Sequence, residues 1–106
     1  MKGMMGGMAG LMKQANQMQM KMKKIQEELA TREFEGTSGG GAVKVKVNGD
    51  NKVLAVTIDP EVLKAGDAEM MQDLVVSAVN DALKLAKDTS TKEMAKVTGG
   101  ISLPGF

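Results

Sequence analysis

Cysteine and histidine are both absent from this 106-residue chain, and only Phe34 and Phe106 are aromatic. Without cysteine there are no disulfides and no thiolate nucleophiles, and without histidine the commonest general base is missing. A zinc site would lack both of its usual ligand types, and any metal site would need oxygen ligands alone. A chain with no thiols fits a reducing cytoplasm. No stretch approaches the roughly eighteen consecutive apolar residues that span a bilayer. The Met- and Gly-rich start also lacks the continuous apolar run of a signal peptide. The sequence therefore predicts a cytoplasmic protein with no membrane partner.

The scarcity of aromatics leaves Met, Val, Leu, Ile and Ala to build a core. Such slim side chains in a chain this short bury a limited fraction of the surface, so a partner subunit would help cover them. The acids Asp59, Glu61, Asp67, Glu69 and Asp73 fall at predicted helix caps and first turns, where they complement the helix dipole. Gly39, Gly40 and Gly41 lead into a strand, whereas a phosphate loop leads through Gly-Lys-Ser/Thr into a helix, so the run reads as a turn. No catalytic residue, cofactor, metal or small-molecule substrate is expected, and the chain is read as a non-enzyme.

The formal net charge is only +1, but its distribution is uneven. Residues 1–26 contain five lysines (Lys2, Lys13, Lys21, Lys23, Lys24) and no acid. That polarity is what a phosphate-binding element requires. From Met8 to Thr31 the composition is strongly helix-forming. Met8, Leu11, Ala15, Met18, Met22, Ile25 and Leu29 recur at alternating spacings of three and four, the heptad pattern of a helix packed along another helix. Leu11, Met18, Met22, Ile25 and Leu29 are the expected dimer or helix-packing seam. Lys13, Lys21, Lys23 and Lys24 fall on the side away from it. Glycines at 3, 6, 7 and 10 each cost about 1 kcal/mol in a helix interior, which predicts a frayed terminus over residues 1–7.

Eleven methionines raise the question of a thioether site for Cu(I). Packing is the better reading for Met8, Met18 and Met22, which lie on the seam. Met12 and Met20 lie off it and have no assigned contact.

Alternation then replaces helical spacing. Arg32–Thr37 reads as a first strand, and Val43, Val45 and Val47 with Lys44 and Lys46 between them as a half-buried second one. Asn48-Gly49-Asp50-Asn51 suits a tight turn, and Lys52–Ile58 returns as the third strand. Asp59-Pro60 caps one short helical turn closed by Gly66. A long amphipathic helix follows from about Asp67 to Met94. The expected fold is α+β, an α-β-β-β-α subunit with a three-stranded antiparallel sheet between two long helices. Residues 1–96 form one domain, and residues 97–106, without periodicity, a flexible tail.

Gly10-Leu11-Met12-Lys13-Gln14-Ala15, Gln17-Met18-Gln19, Gln26-Glu27-Glu28 and the hairpin around Val43–Gly49 together resemble the YbaB/EbfC family of nucleoid-associated proteins. Ile58-Asp59-Pro60, Asp73-Leu74-Val75, Ala78–Ala82 and Leu103-Pro104-Gly105-Phe106 continue the resemblance in the same order. It implies a bacterial homodimer whose sheets join while the long helices project like tweezers. It also implies binding of double-stranded DNA with a change in its conformation, nucleoid association and a role in gene regulation. DNA contacts in the family lie on charged residues of the projecting helices. In this chain these correspond to Lys13, Lys21, Lys23 and Lys24, then to Lys84 and Lys87, and further along to Lys92 and Lys96. With one arginine and few aromatics, hydrogen-bonded guanine reading and base stacking are not expected. The alternative is a protein-interaction module that offers its Met-rich amphipathic helix to a polypeptide, with a Cu(I) carrier a weaker rival.

Overall fold

The computed structural model describes residues 2–98, with side-chain surroundings for residues 7–97. The order is α1 (Lys2–Thr31), β1 (Glu33–Ser38), a 3-10 turn (Gly39–Gly41), β2 (Val43–Asn48), β3 (Val53–Ile58), α2 (Pro60–Lys64) and α3 (Ala68–Thr98). The α-β-β-β-α order expected from the sequence is the one observed.

The sheet runs β1-β2-β3, antiparallel throughout. Its centre is the Val-Lys alternation of β2. Val43, Val45 and Val47 are completely buried, while Lys44 and Lys46 point to solvent. Period-two alternation on a strand with one covered face requires this division. The β2–β3 turn is held by Asn48, whose side-chain oxygen accepts from the backbone N–H groups of Asp50 (2.9 Å) and Lys52 (3.1 Å). Asn51 takes a φ of 62°, the left-handed conformation asparagine tolerates. A register shift at Lys46/Val47 bends the hairpin just before it.

Across the valine face lies α3. Its closest stripe is Ala78, Ala82 and Ala86, flanked by Leu74, Val75, Val79 and Leu83. Opposite the alanines sits Gly36 of β1. A Cβ there would fall on the backbone of Ala78 and Ala82, so strand and helix meet main chain to main chain. The register is fixed further by two side chain to backbone bonds. Asp81 accepts from the Thr37 backbone N–H (3.0 Å), and the Ser38 hydroxyl donates to the Leu74 carbonyl. Asp59 and Asp67 cap α2 and α3, accepting from the N–H groups of Glu61 and Met70 at 3.0 Å each.

The last turns of α1 complete the core. Leu29 is buried with Phe34 and the valines, and Ile25 packs against that cluster. Gly49 lies so near the Leu29 carbonyl that no side chain fits there, which ties the hairpin turn to the end of α1. Beyond the core cluster, Met22 and Met94 are also buried, where α1 meets α3.

Two boundaries differ from the sequence-based expectation. Helix α1 begins at Lys2 and includes the early glycines, six residues ahead of the expected start. Once a helix exists, each added residue gains a bond without a new nucleus, which offsets the glycine penalty. Helix α3 continues to Thr98, so Val97 and Thr98 belong to it and not to the tail. The remainder of the expected tail, residues 99–106, lies outside the described residues.

Candidate nucleic-acid interface

The two long helices reach far past the small sheet. The molecule measures 77 Å along its longest axis and 20 × 17 Å across. A 30-residue helix is about 45 Å long, so α1 cannot be covered by a sheet whose strands are six residues each.

The heptad seam divides accordingly. Leu29 and Met22 are buried, and Ile25 and Met18 are half-buried. Leu11 is 67% exposed and Met8 62%. Within one chain the seam is covered only from Met18 onward, and residues 7–17 are exposed all round.

Lys13, Lys21, Lys23 and Lys24 are all exposed. Among the described residues the ion pairs are Lys64–Glu61 (3.7 Å) and Lys96–Glu93 (3.2 Å), so none of the four lysines is neutralised by a carboxylate. Four uncompensated cations on one rod produce a positive potential that concentrates polyanions. Helix α1 supplies no acid to oppose it until Glu27.

Lys84 and Lys87 stand apart from this group. Both are exposed, but they lie in the part of α3 that covers the sheet. Lys87 lines a shallow groove with Gly49, Asn51, Leu83, Ser90 and Thr91, beside the hairpin turn. Lys92 is exposed, and Lys96 is engaged with Glu93. The α1 lysines thus share the exposed side of one helix, Lys13 on its uncovered half and Lys21, Lys23 and Lys24 on the turns whose other side is packed, whereas the α3 lysines are spread along a helix that also carries Asp81, Asp88 and Glu93.

A second surface stands out on the sheet. Strand β3 is Val-Leu-Ala-Val-Thr-Ile, with no charge and no proline, and it occupies an edge. Val53, Leu54 and Val56 are 48%, 47% and 44% exposed. The opposite edge, β1, is guarded by Asp81 on the Thr37 amide. An apolar, uncharged edge strand is open to pairing with another strand. Sequence reading placed β3 in the hairpin without identifying it as the bare edge; its signal is the run of six uncharged residues.

No helix among the described residues is long and apolar enough to cross a membrane, and no cluster of His, Cys, Asp or Glu among them could hold a metal ion.

The model of the YbaB/EbfC DNA-binding family matches residues 4–101. A nucleoid-associated protein of Clostridium novyi is 50% identical over 106 residues, covering 98% of this chain and 93% of its own length. A nucleoid-associated protein of Pelotomaculum thermopropionicum is 50% identical over 104 residues, covering 97% and 99%. The crystal structure of an uncharacterized protein from Helicobacter pylori has the same fold, with a TM-score of 0.68 at 27% identity over 87% of this chain and 94% of that one. With a family model spanning nearly its whole length and relatives at half identity, this chain belongs to the YbaB/EbfC DNA-binding family.

Proposed function

We propose that the chain is a nucleoid-associated protein that binds duplex DNA as a homodimer through lysine-phosphate contacts along α1. Binding alters the conformation of the DNA and, through it, nucleoid organisation and gene expression. The carrying observation is the row of exposed, unpaired lysines on a helix that projects beyond the core. Membership of a DNA-binding family supports DNA as the polyanion, and the names of the two half-identical relatives support the nucleoid as the place. Lysine is a point charge without the fork geometry of arginine, so its contacts to phosphate position the protein without selecting sequence. Lys84 and Lys87 take a secondary part, nearer the body of the subunit.

The bare β3 edge supports the homodimer. Antiparallel pairing of two β3 strands would satisfy the free backbone groups of both and cover Val53, Leu54 and Val56. It would also carry two α1 helices on one body, doubling the phosphate contacts. Val56→Lys is accordingly expected to yield monomers in sedimentation velocity at concentrations where the parent is dimeric, and to weaken duplex binding at least tenfold. A variant that remains dimeric would place the subunit contact elsewhere.

The exposed Met8, Leu11 and Met12 favour one other reading, a partner polypeptide docked on the uncovered half of the seam. Partner capture that survives nuclease treatment, with no shift of duplex DNA by the pure protein, would select it over the first.

A further inference from the structure

Met20 is the most exposed large apolar residue among those described, at 71%. It lies off the seam, on the side of α1 that carries the lysines, and none of the described residues covers it. With 3.6 residues per turn, Lys13, Met20 and Lys24 fall on one side of the helix, and Asn16 lies one turn before Met20 on the same side. Lys21 and Lys23 fall on opposite flanks of that line. Asn16 is also exposed, and its side chain makes no hydrogen bond among the described residues.

The centre of the cationic face therefore holds the Met20 thioether and the carboxamides of Asn16 and Gln17, with ammonium groups around them. Such a face fits the major groove of B-DNA in shape and in chemistry. A helix with its side chains is about 10–12 Å across, and the groove is about 12 Å wide. Lysines on the two flanks reach the phosphates of the two walls, and the side chains between them face the groove floor. The floor of an A·T pair offers the thymine methyl, which takes apolar contact, and the N7 and N6 of adenine, which suit the two ends of an asparagine amide.

We propose that α1 lies in the major groove with Met20 against a thymine methyl group and Asn16 against an adenine edge, giving a preference for A·T pairs. The inference rests on DNA being the ligand. It adds base reading to a surface that otherwise contacts only phosphate, and it does so without arginine.

Replacing thymine by deoxyuridine isolates the contact, because it removes the methyl group and keeps the charge and the base-pairing edge. Full-length protein is titrated by fluorescence anisotropy against matched A·T-rich duplexes containing either base, with Met20→Ala and Asn16→Ala in parallel. The parent is expected to bind the uracil duplex about fourfold more weakly for each methyl contacted, from the transfer of one methylene-sized group. Met20→Ala should bind both duplexes equally, at the affinity of the parent on uracil. Asn16→Ala should lose discrimination against 7-deazaadenine while keeping the methyl effect. Both substitutions are at exposed positions and introduce the best helix former, so folding is not at issue. Equal binding of the two duplexes by the parent overturns the proposal and leaves the phosphate-binding function standing. Discrimination that persists in Met20→Ala overturns the role of Met20. Absence of binding to either duplex overturns both the proposal and the function on which it rests.

Discussion

Changing Lys13, Lys21, Lys23 and Lys24 together to glutamate is expected to abolish duplex binding in a gel shift while the protein's elution from a sizing column stays unchanged. Non-specific affinity for DNA is almost wholly electrostatic, so removing the contacting cations and adding like charges should cost at least about a thousandfold. None of the four lysines is buried or paired, so the subunit loses no packing with them. Glutamate is nearly as good a helix former as lysine. The new acids at 23 and 24 fall one turn before Glu27 and Glu28, and each such like-charge pair costs about 0.2–0.5 kcal/mol, too little to unfold the domain. The corresponding lysine-to-glutamine variant introduces no new acid and should lose most of the affinity as well. Unchanged binding in both variants would move the interface away from α1.

The second large effect concerns stability. Gly36→Ala places a methyl group where the backbone of α3 already lies, 2.8 Å from the Ala82 Cα and closer still to neighbouring main-chain atoms. A flexible side chain could turn aside, but a helix backbone cannot. It must move as a body, and with it Ala78, Ala82 and Ala86 leave the valines of β2. Overpacking in a well-filled core costs about 1–3 kcal/mol, and a backbone obstruction belongs at or above the top of that range. Denaturant unfolding should show a loss of about 3 kcal/mol or more, a large share of the 5–15 kcal/mol that holds a small domain together. As a control, Gly40→Ala has open space around the new methyl group and bears only the cost of its φ of 68°. It should be the milder of the two. A Gly36→Ala protein as stable as the parent would mean that β1 and α3 are not in the contact described.

What the sequence makes legible follows from the range of the forces involved. Local signals are read directly. The Val-Lys alternation of β2, the Asn48 turn and the Asp59-Pro60 cap each depend on residues a few positions apart, and each is where it was expected. The heptad seam of α1 is legible as a need for a partner, but periodicity does not say which helix answers it or over what length. Met22 and Leu29 find cover within the subunit, whereas Leu11, in the same register, finds none. Gly36 reads as an ordinary strand residue because its requirement is imposed by Ala78 and Ala82, more than forty positions away. Nor does alternation distinguish an edge strand from a central one, so the exposure of Val53, Leu54 and Val56 emerges only once the strand order is known.

The candidate site divides in the same way. Lys13, Lys21, Lys23 and Lys24 are recognisable from the absence of acids in the first 26 residues and from their position opposite the seam. Their exposure without a carboxylate partner is a property of the assembled subunit, as is the position of Lys84 and Lys87 on the part of α3 that covers the sheet. Met20 has no place in an apolar seam, and that misfit becomes informative when it proves to be exposed on the helix face it shares with Lys13 and Lys24.

The salt dependence of duplex binding tests the central claim most directly. If a dimer neutralises about six phosphates through lysine, counterion release makes log K fall with log[salt] at a slope near −5. Measured by anisotropy on one duplex between about 50 and 200 mM monovalent salt, that slope corresponds to a loss of roughly a thousandfold in affinity. A linear fall of that steepness is the expected result, and binding that hardly changes across the series would contradict it.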